Sequence, residues 1–323
     1  MSGGTVFLAS VQGTQRVGMG LDIADISPIA RATFEQADSQ LDFPLVETLE
    51  DDSHGLLAQT RYAQPALFTT SVAIARALED TGKAPHAAAG FSLGEYAAHV
   101  IAGTVSFTDA LALVAERAAV MADAAVTNPG GMVALIGTAD EVQDLIEELD
   151  FGDNLVVANI NSPKQTVVSG THEALEHLTA LWTENRGKAF PLATDGPFHA
   201  PAMRGAADAL LPKLEATVFR TPRIPLVTNF SGSYLSPEPS ETAADFSQRV
   251  AHSLYRQIFS PVQWNASMHL LASDGYTEFI EVGSGTVLAD LMKRIDRSLT
   301  RVAVEDVAVF ESLTIRGVAD SDD

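Results

Sequence analysis

The chain contains no cysteine, which excludes disulfides and a thiol nucleophile. Basic residues are scarce: 20 Lys and Arg against 42 Asp and Glu give a net charge of −22. A surface of that sign repels nucleic acid and anionic membranes, and it also repels an acidic protein unless cations gather locally. No apolar run is long enough to span a bilayer. The first ten residues, Met1 to Ser10, have no basic stretch of the kind that opens a signal peptide, so the expected location is the cytoplasm. Internal repeats and low-complexity linkers are missing as well. What remains is 323 residues with 46% hydrophobic and 19% charged content, enough for a large core or for two smaller ones. The acidic end, Ala319 to Asp323, reads as a frayed, solvated tail.

The most informative segment is Gly90-Phe91-Ser92-Leu93-Gly94-Glu95. Small apolar residues, Ala87-Ala88-Ala89, precede it as a buried strand, and Tyr96-Ala97-Ala98-His99-Val100-Ile101 follows as a helix. Strand, Gly-x-Ser-x-Gly and helix form the context of a nucleophile elbow. The two glycines are expected to let the backbone turn sharply and expose the serine at a helix N-terminus, whose free N–H groups suit a developing oxyanion.

Other segments read as elements by their apolar spacing. Residues 6–11 form a first strand. Ser27 caps a helix with Pro28 at its first position, Gln64-Pro65 opens a helix through Leu78, and Ser106 caps another running to about Ala125. From Asn128 the texture changes. A strand at 132–137, a helix at 139–149, strands at 155–159 and 165–170, a helix at 171–185 and a strand at 187–192 follow in order. That β-α-β-β-α-β order is the ferredoxin-like pattern. A helix from Pro201 to Glu215, strands at 224–229 and 277–282, and a helix from Val287 to Ile295 complete the expected core. The fold class is therefore α/β: a large α/β-hydrolase-like domain with a parallel sheet (1–127 and 194–323) and a small ferredoxin-like subdomain inserted at 128–193.

A nucleophilic serine needs a base, and the chain offers eight histidines. His54, His172 and His177 sit in polar contexts, and His99 lies two turns down the serine's own helix, facing away. His199 lies in Asp195-Gly196-Pro197-Phe198-His199-Ala200-Pro201, a loop bounded by glycine and proline. Asp195 is the nearest acid, but four residues is a short reach to the far ring nitrogen. A backbone carbonyl would orient the imidazole as well. Arg117 is the only basic residue between Lys83 and Lys164, set among small apolar residues. It should meet an anion, and Glu116 and Asp123 are the local alternatives.

With those residues in view, the chain resembles the malonyl-CoA:acyl carrier protein transacylases and the acyltransferase domains of polyketide synthases. Gly90 to Tyr96 is similar to the family's elbow, Gln12-Gly13-Thr14-Gln15 with Gly18-Met19-Gly20 to its N-terminal motif, and Thr60 with Gln64-Pro65-Ala66 to its Thr…Gln-Pro-Ala. Asn159 to Pro163, Val168 to Gly170, Gly196 to His199, Gln257 to Trp264 and Glu281 to Gly285 match further family segments in the same order. The resemblance covers about residues 5 to 300.

It implies a ping-pong acyl transfer in which no bound cofactor or metal takes part. Ser92 would take a malonyl group from CoA as an ester, and the phosphopantetheine thiol of an acyl carrier protein would receive it. His199 would be the base, held by the main-chain carbonyl of Gln257. The N–H groups of Gln12 and Leu93 would form the oxyanion hole. Arg117 would grip the malonyl carboxylate, with Phe198, Phe91 and Gln64 also lining the substrate site. Phe198 before the histidine goes with malonyl rather than branched substrates.

Three departures from the family pattern stand out: Ser10-Val11 for Pro-Gly, Phe91 for His, and Ser284 within Gly-Pro-Gly. Valine cannot easily adopt the positive φ that glycine permits, so the oxyanion loop is expected to sit differently. Together the departures suggest a polyketide or related pathway. Candidate cations for docking the acidic carrier are Arg186, Lys188, Arg204, Lys293, Arg294, Arg297 and Arg301. Members of this size are usually monomers. The alternatives are transfer of another acyl group between carriers, an acyl-hydrolase, and a non-catalytic docking protein.

Overall fold

The computed structural model describes residues 3–319. Among the described residues, nine strands form two sheets. The larger has the order β7-β2-β1-β8-β9, with β1 at Gly4–Ala9, β2 at Ala87–Gly90, β7 at Leu226–Val227, β8 at Tyr276–Val282 and β9 at Thr300–Val304. All its pairings are parallel. Every residue of β2 is buried, as expected of a strand covered by helices on both faces. The register aligns Ala9 of β1 with Gly90 of β2 and with Val282 of β8, so three strands end side by side. The loops at Ser10–Thr14, Phe91–Leu93 and Gly283–Gly285 leave this common carboxyl edge, where open parallel sheets place their ligands.

The smaller sheet has the order β4-β5-β3-β6 and is antiparallel, with β3 at Gly131–Leu135, β4 at Leu155–Ser162, β5 at Gln165–Gly170 and β6 at Ala189–Pro191. Helices Ala139–Leu149 and His172–Asn185 cover one face. Because side chains alternate along a strand, Val133 and Leu135 pack with Val142, Leu178 and Trp182 in a small core, while Met132 and Ala134 join the main core. β4 is tied to the rest of the chain at Val262, whose N–H donates to Ala158 O and whose carbonyl accepts from Ile160 N. The chain is thus α/β, with a parallel sheet and a small antiparallel sheet in ferredoxin-like order.

Several boundaries differ from the sequence reading. The helix expected to open at Gln64-Pro65 begins at Thr60, leaving Pro65 inside it. Proline has no N–H for the Arg61 carbonyl, but only one early helical bond is lost, and burial of Ala63 to Leu67 holds the turn. The strand expected at 224–229 narrows to Leu226–Val227, flanked by Pro225. Helices Ala243–Gln257 and Trp264–Ser273, strand β9 and helix Val307–Ala319 lie outside the elements read from sequence, so the chain does not close at Ile295. Of the expected frayed tail, residues 320–323 lie outside the described residues.

The elbow is built differently from the expectation. The left-handed residue is the serine itself, with φ 52°. The glycines are required by close approach instead. A Cβ on Gly90 would stand 2.0 Å from Gly94 O, and one on Gly94 would stand 2.2 Å from Ala9 O. Both obstacles are backbone in the sheet and helix, so neither can swing aside. Gly94→Ala is expected to lower stability by about 3 kcal/mol or more. Urea denaturation would read this, and a loss under about 1 kcal/mol would contradict the packing argument.

Candidate active site

Ser92 and His199 both have left-handed backbones, at φ 52° and φ 58°, and both are buried. The Ser92 hydroxyl lies 2.7 Å from His199 Nε2. His199 Nδ1 lies 2.9 Å from the main-chain oxygen of Gln257. A carbonyl can only accept, so Nδ1 carries the proton and Nε2 is free to take one from the serine. The carbonyl therefore does what an acid would do in a triad. Asp195, the nearest acid in sequence, does not reach His199. Its carboxylate accepts instead from the Thr60 N–H and hydroxyl. Burial, reinforced by the nearby Arg117 charge, holds the His199 pKa down at about 4, so at neutral pH the imidazole is the free base.

Two groups that sequence reasoning missed hold this pair in place. Asn229 accepts the Ser92 N–H through Oδ1 and donates 2.6 Å to Gly90 O. Glu95 Oε2 accepts from Asn229 N at 3.1 Å and from Gln257 Nε2 at 2.7 Å, and Gln257 Nε2 also donates to Ser92 O. Glu95 is fully buried, and desolvation raises its pKa to about 7. The signal for Glu95 was available within the motif: a carboxylate in the first turn of an apolar helix must find buried donors. Asn229 had no such signal, because its partners are 134 or more residues away in sequence. His99 is buried but bonds Thr104, well clear of the serine.

Arg117 is completely buried. Neither local acid meets it: Glu116 pairs with Lys213, and Asp123 with Arg61. Its Nη1 donates 2.7 Å to Gln64 Oε1, and its Nη2 reaches Ser92 Oγ at 3.1 Å and Gln257 Oε1 at 3.3 Å. The guanidinium lies 5.5 Å from the Tyr96 ring centroid. Among the described residues no carboxylate forms an ion pair with it, and its Nε has no partner. Gln64 is buried as well and links Arg117 to Gln12.

Above the serine is a cavity of 330 Å³. Gln12 and Phe91 line it from the sheet edge, Phe198 and His199 from the histidine loop, and Met132 and Val167 from the small sheet. Among the described residues the N–H groups of Gln12 and Leu93 have no acceptor, as an oxyanion site requires. Val11 does not adopt a positive φ; Gly13 does, at 102°, so the valine is accommodated without strain. The departing segments face one another. Ser10 donates to Val282 O, and the Ser284 hydroxyl donates to Thr14 O. Phe91 packs against Trp264, with centroids 5.2 Å apart.

Of the candidate docking cations, Arg186, Lys188, Arg204, Lys293, Arg294 and Arg297 are exposed. Arg204 sits 4.3 Å over the Phe259 ring. Lys293 and Arg294 end the helix whose Val287 and Leu291 line the cavity. Among the described residues no cluster suited to a metal ion is present, and no helix is long and apolar enough to cross a membrane.

A serine and histidine at the carboxyl edge of a parallel sheet, beside N–H groups and an arginine that have no acceptor or ion pair among the described residues, form an arrangement of the kind a serine-nucleophile acyl-transferring enzyme uses. The chain belongs to the acyl transferase domain family, which matches residues 6–319. It is 36% identical over 320 residues to the malonyl CoA-acyl carrier protein transacylase of Bacillus subtilis, covering 98% of each chain. Its fold is similar to that of MCAT from Streptococcus pneumoniae, with a TM-score of 0.88, 35% identity and coverage of 97% and 99% of the two chains. It is also similar to a malonyl-transacylase solved in complex with its type II PKS acyl-carrier protein, with a TM-score of 0.87, 34% identity and coverage of 97% and 98%.

The depressed His199 pKa has a measurable sign. Protonated His199 cannot accept the serine proton, so activity falls as pH drops through the pKa of the free enzyme. With acetyl-CoA, whose acyl group has no carboxylate of its own, the acid limb of kcat/KM is expected near pH 4, well below the ordinary histidine range. Arg117→Met removes a positive neighbour and should move that limb upward. A wild-type limb near 6.5, unmoved by the substitution, would contradict this electrostatic reading.

Proposed function

We propose that this enzyme transfers a malonyl group from CoA to an acyl carrier protein. The observation that carries the reading is the unpaired guanidinium of Arg117, completely buried and 3.1 Å from the Ser92 hydroxyl. A buried charge without a counter-ion is costly, and a substrate carboxylate supplies the missing partner. An acetyl group leaves Arg117 unmatched, so discrimination follows from the same cost. Phe198 adds a bulky wall beside the base, which opposes branching at the α-carbon.

The cycle has two halves. His199 Nε2 takes the Ser92 proton as Oγ attacks the thioester carbonyl. The oxyanion meets the N–H groups of Gln12 and Leu93. The C–S bond breaks, CoA leaves with the proton returned by His199, and malonyl remains on Ser92 as an ester. The phosphopantetheine thiol of the carrier protein then enters, gives its proton to His199, and takes the malonyl group by the reverse sequence. Throughout, the Gln257 carbonyl stabilises the imidazolium formed in each transition state.

The carrier approaches an enzyme of its own sign of charge. None of the six exposed cations Arg186, Lys188, Arg204, Lys293, Arg294 and Arg297 makes an ion pair among the described residues. Lys293 and Arg294 stand on the helix at the cavity mouth and are the first choice for the carrier's acidic surface. A polyketide or related pathway is supported by Val11, Phe91 and Ser284, where the cavity and oxyanion loop depart from the family pattern. Use of CoA thioesters and free carrier proteins as co-substrates supports a cytoplasmic reaction.

Intact-protein mass spectrometry after incubation with malonyl-CoA and acetyl-CoA tests the central reading. A malonyl adduct should dominate and vanish in Ser92→Ala. Arg117→Ala should lower malonyl loading relative to acetyl by about a hundredfold or more. Equal loading of the two acyl groups by the wild type would refute it. For docking, charge reversal at Lys293 and Arg294 should raise the KM for the carrier severalfold while leaving CoA-dependent loading of Ser92 unchanged; loss of both would assign those cations another role.

A further inference from the structure

Asp195 does not hold the catalytic histidine, yet it is tied to the site by another route. Its Oδ2 accepts from the Thr60 hydroxyl at 2.6 Å. Thr60 Oγ1 accepts from Gln12 Nε2 at 2.8 Å. Gln12 Oε1 accepts from Gln64 Nε2 at 3.0 Å, and Gln64 Oε1 accepts from Arg117 Nη1 at 2.7 Å. The relay crosses from the histidine loop, through the first residue of the helix Thr60–Asp80 and the oxyanion loop, to the arginine.

Its direction is forced from both ends. A carboxylate can only accept and a guanidinium can only donate. Thr60 must therefore give its one proton to Asp195 and receive Gln12 with a lone pair. The Gln12 amide then presents its oxygen to Gln64, and the Gln64 amide presents its oxygen to Arg117. Without the carboxylate, Thr60 can turn its proton toward Gln12, and both amides are free to flip. A flipped Gln64 would put its NH2 group against Nη1, donor against donor, and displace the guanidinium.

We propose that Asp195, which does not line the cavity, is a positioning residue that sets the enzyme's preference for a carboxylated acyl group, acting through Thr60, Gln12 and Gln64 on Arg117. This rests on the malonyl reading above. The ordinary alternative is that Asp195 merely caps the helix at Thr60, whose N–H it also accepts at 2.8 Å. The two roles separate chemically, because Thr60→Val keeps that N–H and removes only the hydroxyl link.

The test measures kcat/KM for acylation of Ser92 by malonyl-CoA and by acetyl-CoA. Wild type, Asp195→Ala, Thr60→Val and Thr60→Ser are compared, with folding checked by thermal denaturation. Asp195 is exposed, so its replacement tests the relay even if the buried Thr60→Val variant fails to fold. A misplaced Arg117 should lower the malonyl-to-acetyl ratio at least about fivefold in Asp195→Ala and Thr60→Val. Thr60→Ser, which keeps the hydroxyl, should restore it. An unchanged ratio in Asp195→Ala, or an equal loss on both donors, overturns the proposal and leaves the cap. Wild-type protein that shows no malonyl preference would defeat the function reading instead, and this inference with it.

Discussion

A guanidinium inside the protein with no carboxylate against it is the constraint around which the site is arranged. Arg117 donates to amide oxygens of Gln64 and Gln257, which take its hydrogen bonds without cancelling its charge. That residual charge helps to hold His199 in its neutral form. Glu95, the buried carboxylate of this region, is turned toward Gln257 and Asn229, and its own ionisation is pushed up to about 7 by burial. The protein thus keeps a positive centre beside Ser92 with no ion-paired carboxylate among the described residues.

Gln257 joins the separate demands on the site. Its main-chain oxygen orients His199, while its side chain contacts Arg117, Ser92 O and Glu95. His199, Ser92 and Arg117 are therefore coupled through one residue at the end of the helix Ala243–Gln257. Such coupling favours geometry over adaptability, since a shift in any one group is passed to the others. The small sheet adds the remaining wall: alternation along β3 sends Met132 and Ala134 to the cavity and Val133 and Leu135 to a private core. A two-residue periodicity thereby makes one strand serve two cores at once.

Much of this was legible in the chain. The Gly-x-Ser-x-Gly spacing pointed to Ser92, the loop around His199 pointed to the histidine that meets its hydroxyl, and the alternation of apolar runs from 131 to 191 located the small sheet. Arg117 was conspicuous because a cation had no reason to lie among alanines. The misses have physical causes. Pro65 was read as a helix start because local preference favours it there, but burial of the surrounding turn outweighs one lost hydrogen bond. Helix Ala243–Gln257 and strand β9 went unread, so the element that supplies Gln257 was known only through family likeness. Asp195 was weighed as a partner for His199 by nearness in sequence, whereas its carboxylate turns to Thr60, 135 positions away.

By itself, then, the sequence singled out Ser92, His199 and Arg117 and determined the order of the small sheet. These are local matters: glycine where a Cβ cannot fit, apolar residues at fixed periods, a charge set against its surroundings. The tertiary structure decided who meets whom. It chose a carbonyl over a carboxylate for His199, gave Arg117 no ion pair among the described residues, and ran a line of hydrogen bonds from that arginine through Gln64, Gln12 and Thr60 to Asp195. Hydrogen bonds between residues 48 or more positions apart depend on how strands and helices stack, and no short window of the chain contains that information.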